Sequence, residues 1–266
     1  MTMKFIRSSI FGYTLPLATV VLLIAVWELT VRIFQLPQLY LPAPSLIAEE
    51  LWRWKGMLLF HAGITLSEAL LGFALGVAGG IPLALAITYS PLLQRTIYPL
   101  IVISQSIPKV AVAPLFLVWL GYGIETKIMI GFLVTFFPIV VNTSTGLASA
   151  EPELLDLIRS LGGSRLLEFR KIRFPHAMPF MFAGFKVSIT LAVIGAIIGE
   201  FVASDQGLGY IILSASAQLK IGLVFACLAW LSLIGITLFT LIQWLEHIVI
   251  PWNFLGEAQA EAGVKR

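Results

Sequence analysis

Among the polar residues inside long apolar stretches of the sequence, five are candidates for a functional site: Gln105, Ser106, Lys109, Asn142 and Glu200. Charged and amide side chains are costly within a lipid bilayer, so they are functional candidates wherever such a stretch spans a membrane. Together they could line a water-accessible path for a polar solute. Alternatively, Lys109 could pair with Glu200 or with a backbone carbonyl only to satisfy its own charge. The sequence leaves both interpretations open for Lys109 and favours the structural one for Glu200.

Other chemistries lack the motifs that they require. Neither G-x-S-x-G nor H-E-x-x-H occurs, so an intramembrane hydrolase is not indicated. No lysine follows a glycine, which excludes a phosphate-binding loop of the form G-x-x-x-x-G-K-[ST]. We therefore predict a non-catalytic chain without a cofactor of its own. The three histidines lie in separate segments, which gives no metal-ligand spacing.

Composition places these residues in a membrane protein. Hydrophobic residues make up 59% of the chain and charged residues 12%, and the mean hydropathy is +0.96. Soluble domains carry about 25% charged residues, because their surfaces must remain hydrated. The net charge of +3 comes without a long basic run, so no nucleic-acid partner is indicated.

We predict one all-α permease domain over residues 1–266, because a membrane-spanning helix needs about 20 mostly apolar residues. Four windows of the sequence have no charged residue, and two more contain isolated charges. Lys186, in the fifth span, is close enough to one face of the membrane to snorkel towards water. The six predicted spans cover approximately residues 8–33, 64–88, 97–120, 127–150, 178–203 and 221–248.

The distribution of lysine and arginine predicts the orientation, because cytoplasmic segments are enriched in both. The segments on the side of the N-terminus carry ten of them: Lys4, Arg7, Arg95, Arg159, Arg165, Arg170, Lys171, Arg173, Lys265 and Arg266. The segments on the opposite side carry five: Arg32, Arg53, Lys55, Lys127 and Lys220. Both termini are therefore expected in the cytoplasm.

The loop over residues 151–175, between the fourth and fifth spans, has the pattern of two helices separated by glycine. Pro152 suits a first helical turn, and Gly162 followed by Gly163 ends that helix. Ser164 can cap a second helix that runs to Arg173. The prolines at 175 and 179 are expected to break the chain before the fifth span.

The first of these helices has an apolar stripe at helical spacing, formed by Leu154, Ile158 and Leu161. Such a stripe has to be buried against another surface. It could pack on the chain's own spans, or it could occupy a groove of a separate cytoplasmic protein. The residues alone do not decide between the two.

This loop resembles that of the permeases of binding-protein-dependent ABC importers, which has the form E-A-A-x-x-x-G, nine residues, then I-x-x-P. Asp156-Leu157-Ile158 takes the place of E-A-A, and Gly162, Ile172 and Pro175 fit at the expected spacing. The small alanine positions are not matched. The resemblance covers approximately residues 40–252. Further segments resemble the branch for nitrate, sulfonates, taurine, bicarbonate and vitamin precursors: Leu41-Pro42-Ala43-Pro44-Ser45, Ala113-Pro114-Leu115, Trp119-Leu120-Gly121-Tyr122-Gly123, Arg159-Ser160-Leu161-Gly162-Gly163-Ser164, Gly207-Leu208-Gly209-Tyr210 and Pro251-Trp252.

The resemblance implies a type I ABC importer permease in the bacterial cytoplasmic membrane. It implies a pathway for a small polar or anionic solute, such as a taurine-like compound or a vitamin precursor, delivered by an extracytoplasmic binding protein. It also implies a cytoplasmic ATPase dimer that binds ATP and Mg, and a second permease subunit, with a homodimer as the simpler arrangement. The segment Glu153–Gly163 would be the coupling helix, in which the candidate residues are Glu153, Asp156, Ile158, Arg159, Leu161 and Gly162.

An ion-coupled secondary transporter that uses Lys109 and Glu200 is the alternative from another class. Two ionisable residues in spans would be enough for such a mechanism. It would leave the helix–glycine–helix loop without a role.

Overall fold

A computed structural model describes residues 2–253, with side chains from Leu15 onward except that of Ala203. Within this range the regular secondary structure is entirely helical, in agreement with the predicted all-α class. The helices are α1 (Thr2–Ile33), α2 (Pro44–Arg53), α3 (Lys55–Tyr89), α4 (Pro91–Ser104), α5 (Lys109–Leu120), α6 (Ile124–Ala148), α7 (Pro152–Ser160), α8 (Arg165–Glu168), α9 (Phe174–Ala203), α10 (Leu208–Ala217) and α11 (Ile221–Val249). A π-helical turn, Phe169–Arg173, joins α8 to α9.

Within residues 2–253, five helical segments are long and apolar enough to cross a membrane: Leu15–Ile33, Lys55–Tyr89, Ile124–Ala148, Arg165–Val202 and Ile221–Val249. The pair α4 and α5 brings the number to six if it is counted as one span. These two helices meet at an angle of 99°, whereas the sequence predicted a single third span over 97–120. Pro108 precedes α5 with ψ of 102°, and a proline cannot continue the hydrogen-bond ladder of α4.

The prolines at the end of the loop do not break the chain, contrary to the sequence-based expectation. Pro175 lies in the first turn of α9, and Pro179 lies inside that helix. The π-helical turn before them shifts the hydrogen-bond register, and a membrane helix tolerates proline where its surroundings satisfy the freed backbone groups. The segment from Arg165 to Val202 is therefore one helical path out of the loop.

The chain divides into two compact units. The first comprises the residues up to Phe60 together with Ile211–Trp230. In it, Glu28 of α1 accepts hydrogen bonds from the backbone nitrogen and the hydroxyl of Ser45, at 3.0 and 2.8 Å. The indole ring of Trp27 lies 5.9 Å from the ring of Phe225. This unit holds α2 next to the end of α1.

The second unit comprises His61–Tyr210 and the residues from Leu231 onward, and it contains the candidate sites. Its centre is the pair α6 and α9, which are in contact along most of their length. Glycines allow this approach, since a Cβ atom on Gly195 would lie 2.9 Å from the Cα of Gly131. On the other side of α6, a Cβ on Gly72 of α3 would lie 2.8 Å from the same Cα. Small residues thus bring three helices together.

Candidate functional site

The loop between α6 and α9 contains the predicted helix–glycine–helix element. The helix α7 begins at Pro152, and Gly162 follows it with φ of +73°, in the left-handed region that favours glycine. The Gly163 amide donates to the Ile158 carbonyl at 2.9 Å, and a Cβ atom at position 163 would overlap the Ile158 side chain. The Ser164 hydroxyl caps α8 by accepting from the Leu167 amide at 3.3 Å.

An apolar face of α7 is exposed to solvent. Leu154, Leu157 and Leu161 have exposed fractions of 44%, 54% and 78%. The sequence-based stripe used Ile158 in place of Leu157; in the structure Ile158 is half-buried against Gly163, whereas Leu157 is exposed. Leu155 is the side chain through which α7 packs inward. The helix is therefore held on one side and uncovered on the other.

Glu168 anchors α7 through an ion-pair network. Its carboxylate accepts hydrogen bonds from Arg159 Nε at 3.2 Å and from Arg173 Nε at 2.8 Å. Asp156 adds a weaker contact to Arg159 at 3.2 Å, on the solvent side. The hydrogen bond from Arg173, followed by that from Arg159, outweighs burial and holds the pKa of the Glu168 carboxyl below its usual value. We call Arg159, Glu168 and Arg173 the loop bracket.

The loop bracket is connected to the spans. Arg173 Nη1 donates to the Leu147 carbonyl at 2.9 Å, near the C-terminus of α6. A cation placed there also suits the negative end of the α6 dipole. Contacts thus run without a gap from α7 through Glu168 and Arg173 to α6. Sequence reasoning gave Glu168 and Arg173 no functional role, because their contacts, over 5, 9 and 26 positions, do not follow the i,i+3 or i,i+4 spacing of a helix face.

The candidate pathway residues do not converge on one site. Gln105 and Ser106 are exposed at the end of α4, and Lys109 Nζ donates to the Gln105 carbonyl at 2.6 Å. Lys109 also lies 5.5 Å from the centroid of the Phe137 ring, a cation–π arrangement. Asn142 donates to the Pro138 carbonyl at 2.8 Å.

Glu200 does not pair with Lys109, which corrects that sequence-based interpretation. Its buried carboxylate accepts from the Thr65 hydroxyl at 2.6 Å and from the Gly209 amide at 2.5 Å. The Leu208 amide donates to the same Thr65 hydroxyl at 2.9 Å. Side chains of α3 and α9 therefore satisfy the first amides of α10, which would otherwise lack partners.

This geometry explains why glycines flank Leu208. Gly207 has φ of +101°, and its amide donates to His61 Nδ1 at 2.9 Å. A Cβ atom at Gly207 or at Gly209 would overlap the carboxylate of Glu200. The Gly207-Leu208-Gly209 sequence thus allows a buried carboxylate to approach the start of α10.

A second buried carboxylate was missed by the sequence analysis. Glu68 Oε1 contacts Lys127 Nζ at 2.8 Å, and both side chains are almost completely buried. The sequence placed Lys127 in an outer segment, but it lies inside α6, against Gly199. We call Thr65, Glu68, Lys127 and Glu200 the buried acid cluster.

Lys186 has a partner that the sequence did not predict. It was expected to reach water; its side chain is 25% exposed, and its Nζ also contacts Glu246 Oε2 at 2.8 Å. The Glu246 side chain is 6% exposed. The charge is therefore neutralised by α11 and not only by solvent.

Comparison with known proteins establishes the family. The model of the family described as "Binding-protein-dependent transport system inner membrane component" matches residues 72–252, which is more than half of the chain. The chain belongs to this family. It is an ABC importer permease, as the loop motif predicted. The matched residues 72–252 include the whole loop bracket. Of the buried acid cluster they include Lys127 and Glu200, whereas Thr65 and Glu68 lie before them.

Two curated permeases are similar over nearly the whole length. The formylaminopyrimidine transport permease of Halalkalibacterium halodurans is 37% identical over 239 residues, which cover 90% of this chain and 95% of that one. The taurine transport system permease of Escherichia coli K12 is 27% identical over 253 residues, covering 92% and 91%. Both belong to the branch that the sequence motifs indicated.

A solved structure supports the fold. The MetNI methionine ABC transporter, in its inward-facing conformations, matches with a TM-score of 0.58 at 17% identity. The match covers 72% of this permease and 97% of that chain. The predicted type I permease fold is confirmed, whereas the alternative of an ion-coupled secondary transporter gains no support.

Proposed function

We propose that this permease receives the motion of a cytoplasmic ATPase through the face of α7 formed by Leu154, Leu157 and Leu161. The observation that carries the proposal is the exposure of these three leucines on a short helix fixed from behind by the loop bracket. An uncovered apolar helix face fits a groove of a partner protein. The family relationship supports an ATP-hydrolysing partner.

The loop bracket would make this docking mechanically useful. A helix that only floated on the surface could bind an ATPase without transmitting its movement. Here Arg159 connects α7 to Glu168, and Arg173 connects Glu168 to the end of α6. A displacement of α7 would therefore act on the spans directly. Of the sequence-based coupling residues, Arg159, Leu161 and Gly162 keep central roles in this proposal.

The same proposal fixes the orientation. The ATPase is cytoplasmic, so the end of the spans that carries α7 faces the cytoplasm, with both termini on that side. The ten-to-five distribution of lysine and arginine supports this orientation, even after Lys127 is removed from the outer segments. A thiol introduced at Leu166, which is exposed in α8, would be labelled only from the cytoplasmic side.

The remaining partners follow from the family. A second permease subunit, with a homodimer as the simpler arrangement, would complete the pathway, and an extracytoplasmic binding protein would deliver the solute. The solute would be a small polar or anionic organic compound. The higher identity to the formylaminopyrimidine permease than to the taurine permease favours a vitamin precursor.

Co-purification of the ATPase tests the docking face. Leu161→Asp should weaken the complex by about tenfold or more, since burial of one large apolar side chain contributes about 1.5–3 kcal/mol. Leu161→Met keeps the apolar side chain and is the matched control, for which we expect normal association. If Leu161→Asp retains a normal complex and normal uptake, α7 is not the docking element.

A further inference from the structure

The buried acid cluster contains more acidic than basic side chains. Glu68 and Glu200 are each 1% exposed, and Lys127 is the one lysine or arginine that contacts either of them within the described residues. His61 does not add a positive charge, because its Nδ1 accepts from the Gly207 amide and an imidazolium cation has no nitrogen that accepts. If both carboxyl groups were ionised, one negative charge would stay buried without a cation, which is costly.

Glu200 differs from the other acidic residues that are buried in the described part of the chain. An arginine or a lysine holds each of the other three, which are Glu68, Glu168 and Glu246. The donors to Glu200 are a hydroxyl and a backbone amide, those of Thr65 and Gly209, and both are neutral. Neutral donors suit a protonated carboxyl group as well as a carboxylate. The surroundings of Glu200 therefore do not require it to be ionised.

One oxygen atom of Glu68 lacks a donor. Glu68 Oε1 contacts Lys127, whereas Glu68 Oε2 is buried and receives no hydrogen bond from a donor in the described residues. The carboxyl group of Glu200 lies within hydrogen-bonding contact of that of Glu68. Thr65 brings the two together, because it donates to Glu200 and lies one helical turn before Glu68 on α3. An ionised carboxylate only accepts, so the two groups satisfy each other only when one of them carries a proton.

We propose that Glu68 and Glu200 form a binding site for one proton, which Glu200 carries and donates to Glu68 Oε2. Like charges in contact do not both ionise, so two carboxyl groups that share a buried site retain a proton. One carboxylate then remains, and Lys127 balances its charge. A metal ion does not fit this role, because no group of three or more His, Cys, Asp or Glu side chains within the described residues could hold one.

The proton completes a chain of hydrogen bonds across four helices. Lys127 of α6 donates to Glu68 of α3, and the proposed bond from Glu200 of α9 ends on the same carboxylate. Glu200 in turn accepts from the Gly209 amide at the start of α10. The proton thus takes the place of a second cation without burying another charge. None of these residues belongs to the docking face of α7, so the inference does not depend on the proposed function.

Glu68→Gln separates a shared proton from a simple ion pair. The glutamine oxygen can accept from Lys127, and its amide nitrogen, in the place of Oε2, can donate to an ionised Glu200. The charges then balance without the proton. Glu246→Gln is the matched control, because Glu246 contacts Lys186 at the same distance, 2.8 Å, and no second carboxyl group contacts it within the described residues.

We expect Glu68→Gln to change the Tm of the permease in detergent by less than about 2 °C and Glu246→Gln to lower it by about 5 °C or more, because only the second strands a buried charge. A simple ion pair predicts the opposite order. The side chains of Glu68 and Lys127 are 0% and 9% exposed, whereas those of Glu246 and Lys186 are 6% and 25% exposed. A loss in Glu68→Gln equal to or larger than that in Glu246→Gln would overturn the proposal.

Infrared difference spectra at neutral pH, where exposed carboxyl groups are ionised, give an independent readout. The spectrum of the wild type minus that of Glu68→Gln should contain the C=O stretching band of one protonated carboxyl group. The wild type minus Glu246→Gln should lack it. Absence of the band from the first difference would overturn the shared proton. The wild-type Tm should also be equal in sodium chloride and in choline chloride of the same ionic strength, and a loss on removal of sodium would overturn the assignment to a proton.

Discussion

The loop bracket and the buried acid cluster both connect helices through a carboxylate, but they do so in opposite surroundings. In the loop bracket, Arg159 contacts Glu168 while 56% of the arginine side chain remains exposed. In the buried acid cluster, the Lys127 side chain is 9% exposed and that of Glu68 is 0% exposed. The hydrogen-bond distances are similar, at 3.2 and 2.8 Å. Access of water to Arg159 distinguishes the two, since the other contact of the loop bracket, between Arg173 and Glu168, has side chains that are only 17% and 8% exposed.

That difference decides what each can do. Loss of one partner from a charge pair that water does not reach strongly destabilises the protein, because the other charge stays buried and unpaired. The buried acid cluster can therefore only be a permanent connection. A wet pair contributes little free energy and can open and reform during a transport cycle. The permease therefore has a fixed connection among α3, α6 and α9, and an adjustable one where Arg159 of α7 contacts Glu168. Four substitutions test this contrast, beginning with the largest expected effect.

Lys127→Met should destabilise the permease most, by about 3–5 kcal/mol, because it leaves the buried Glu68 carboxylate without its partner. Lys109→Met is the matched control, and its effect should be small, since Lys109 is only half-buried and donates its hydrogen bond to a carbonyl. Thermal unfolding in detergent measures both. Equal losses would contradict the distinction between the two lysines. Adding Glu68→Gln to Lys127→Met should recover much of the stability.

Thr65→Val should have the next largest effect on stability. The Thr65 hydroxyl donates to Glu200 and accepts from the Leu208 amide, so its removal leaves two buried polar groups with fewer partners. The expected cost is about 1–3 kcal/mol. Thr96→Val is the control, because the Thr96 hydroxyl is exposed and bonds only within its own helix. A Thr65→Val variant as stable as Thr96→Val would show that α10 does not depend on this contact.

The sequence predicted those parts of the two connections whose residues are close together in the chain, and it missed those whose partners are far apart. The helix α7 and the stop at Gly162 follow from local signals, namely Pro152 and the two glycines. Glu168 escaped notice because it acts through Arg173 on Leu147, which is 26 residues away from Arg173. Charged residues were also used to limit the predicted spans. That rule fails where two charges neutralise each other inside the membrane, as Glu68 and Lys127 do across 59 positions.

Pathway residues were the hardest to predict, for a related reason. A polar residue in an apolar stretch can be satisfied by its own helix, as Asn142 is by the Pro138 carbonyl. Sequence shows the polar residue but not its partner. Unsatisfied hydrogen bonds become visible only after the helices are packed.

Glu168→Gln should affect coupling more than stability. The glutamine keeps the shape but weakens two charge-assisted hydrogen bonds at the loop bracket. We expect the ATPase to remain bound while more ATP is hydrolysed per solute transported, measured in proteoliposomes. If the coupling ratio is unchanged, the loop bracket does not transmit movement.

The loop bracket should be insensitive to pH near neutrality. The pKa of Glu168 is lowered by Arg173 and Arg159, so the stabilisation is complete above the pKa of an unfolded glutamate and is lost only as pH falls through the lower folded value. Protection of α7 amides from hydrogen exchange, corrected for intrinsic rates, should therefore be constant between about pH 6 and 8, well above the carboxylate range. A large change in that interval would contradict the ionised state of the bracket.

Asp156→Asn should produce the smallest effect, although Asp156 stands at the acidic position of the family motif. Its contact with Arg159 is 3.2 Å long, and the side chains are 75% and 56% exposed. Such a pair within one helix contributes about 0.3–0.5 kcal/mol, and salt reduces it further. Arg159 would keep its contact with Glu168, so α7 should stay in place and its exchange protection should fall by less than about threefold. Any larger loss of uptake in Asp156→Asn would then have to arise in the complex, where the carboxylate meets the ATPase. Comparison of exchange in the isolated permease with uptake by the complete transporter separates these two origins, because only the second depends on the partner.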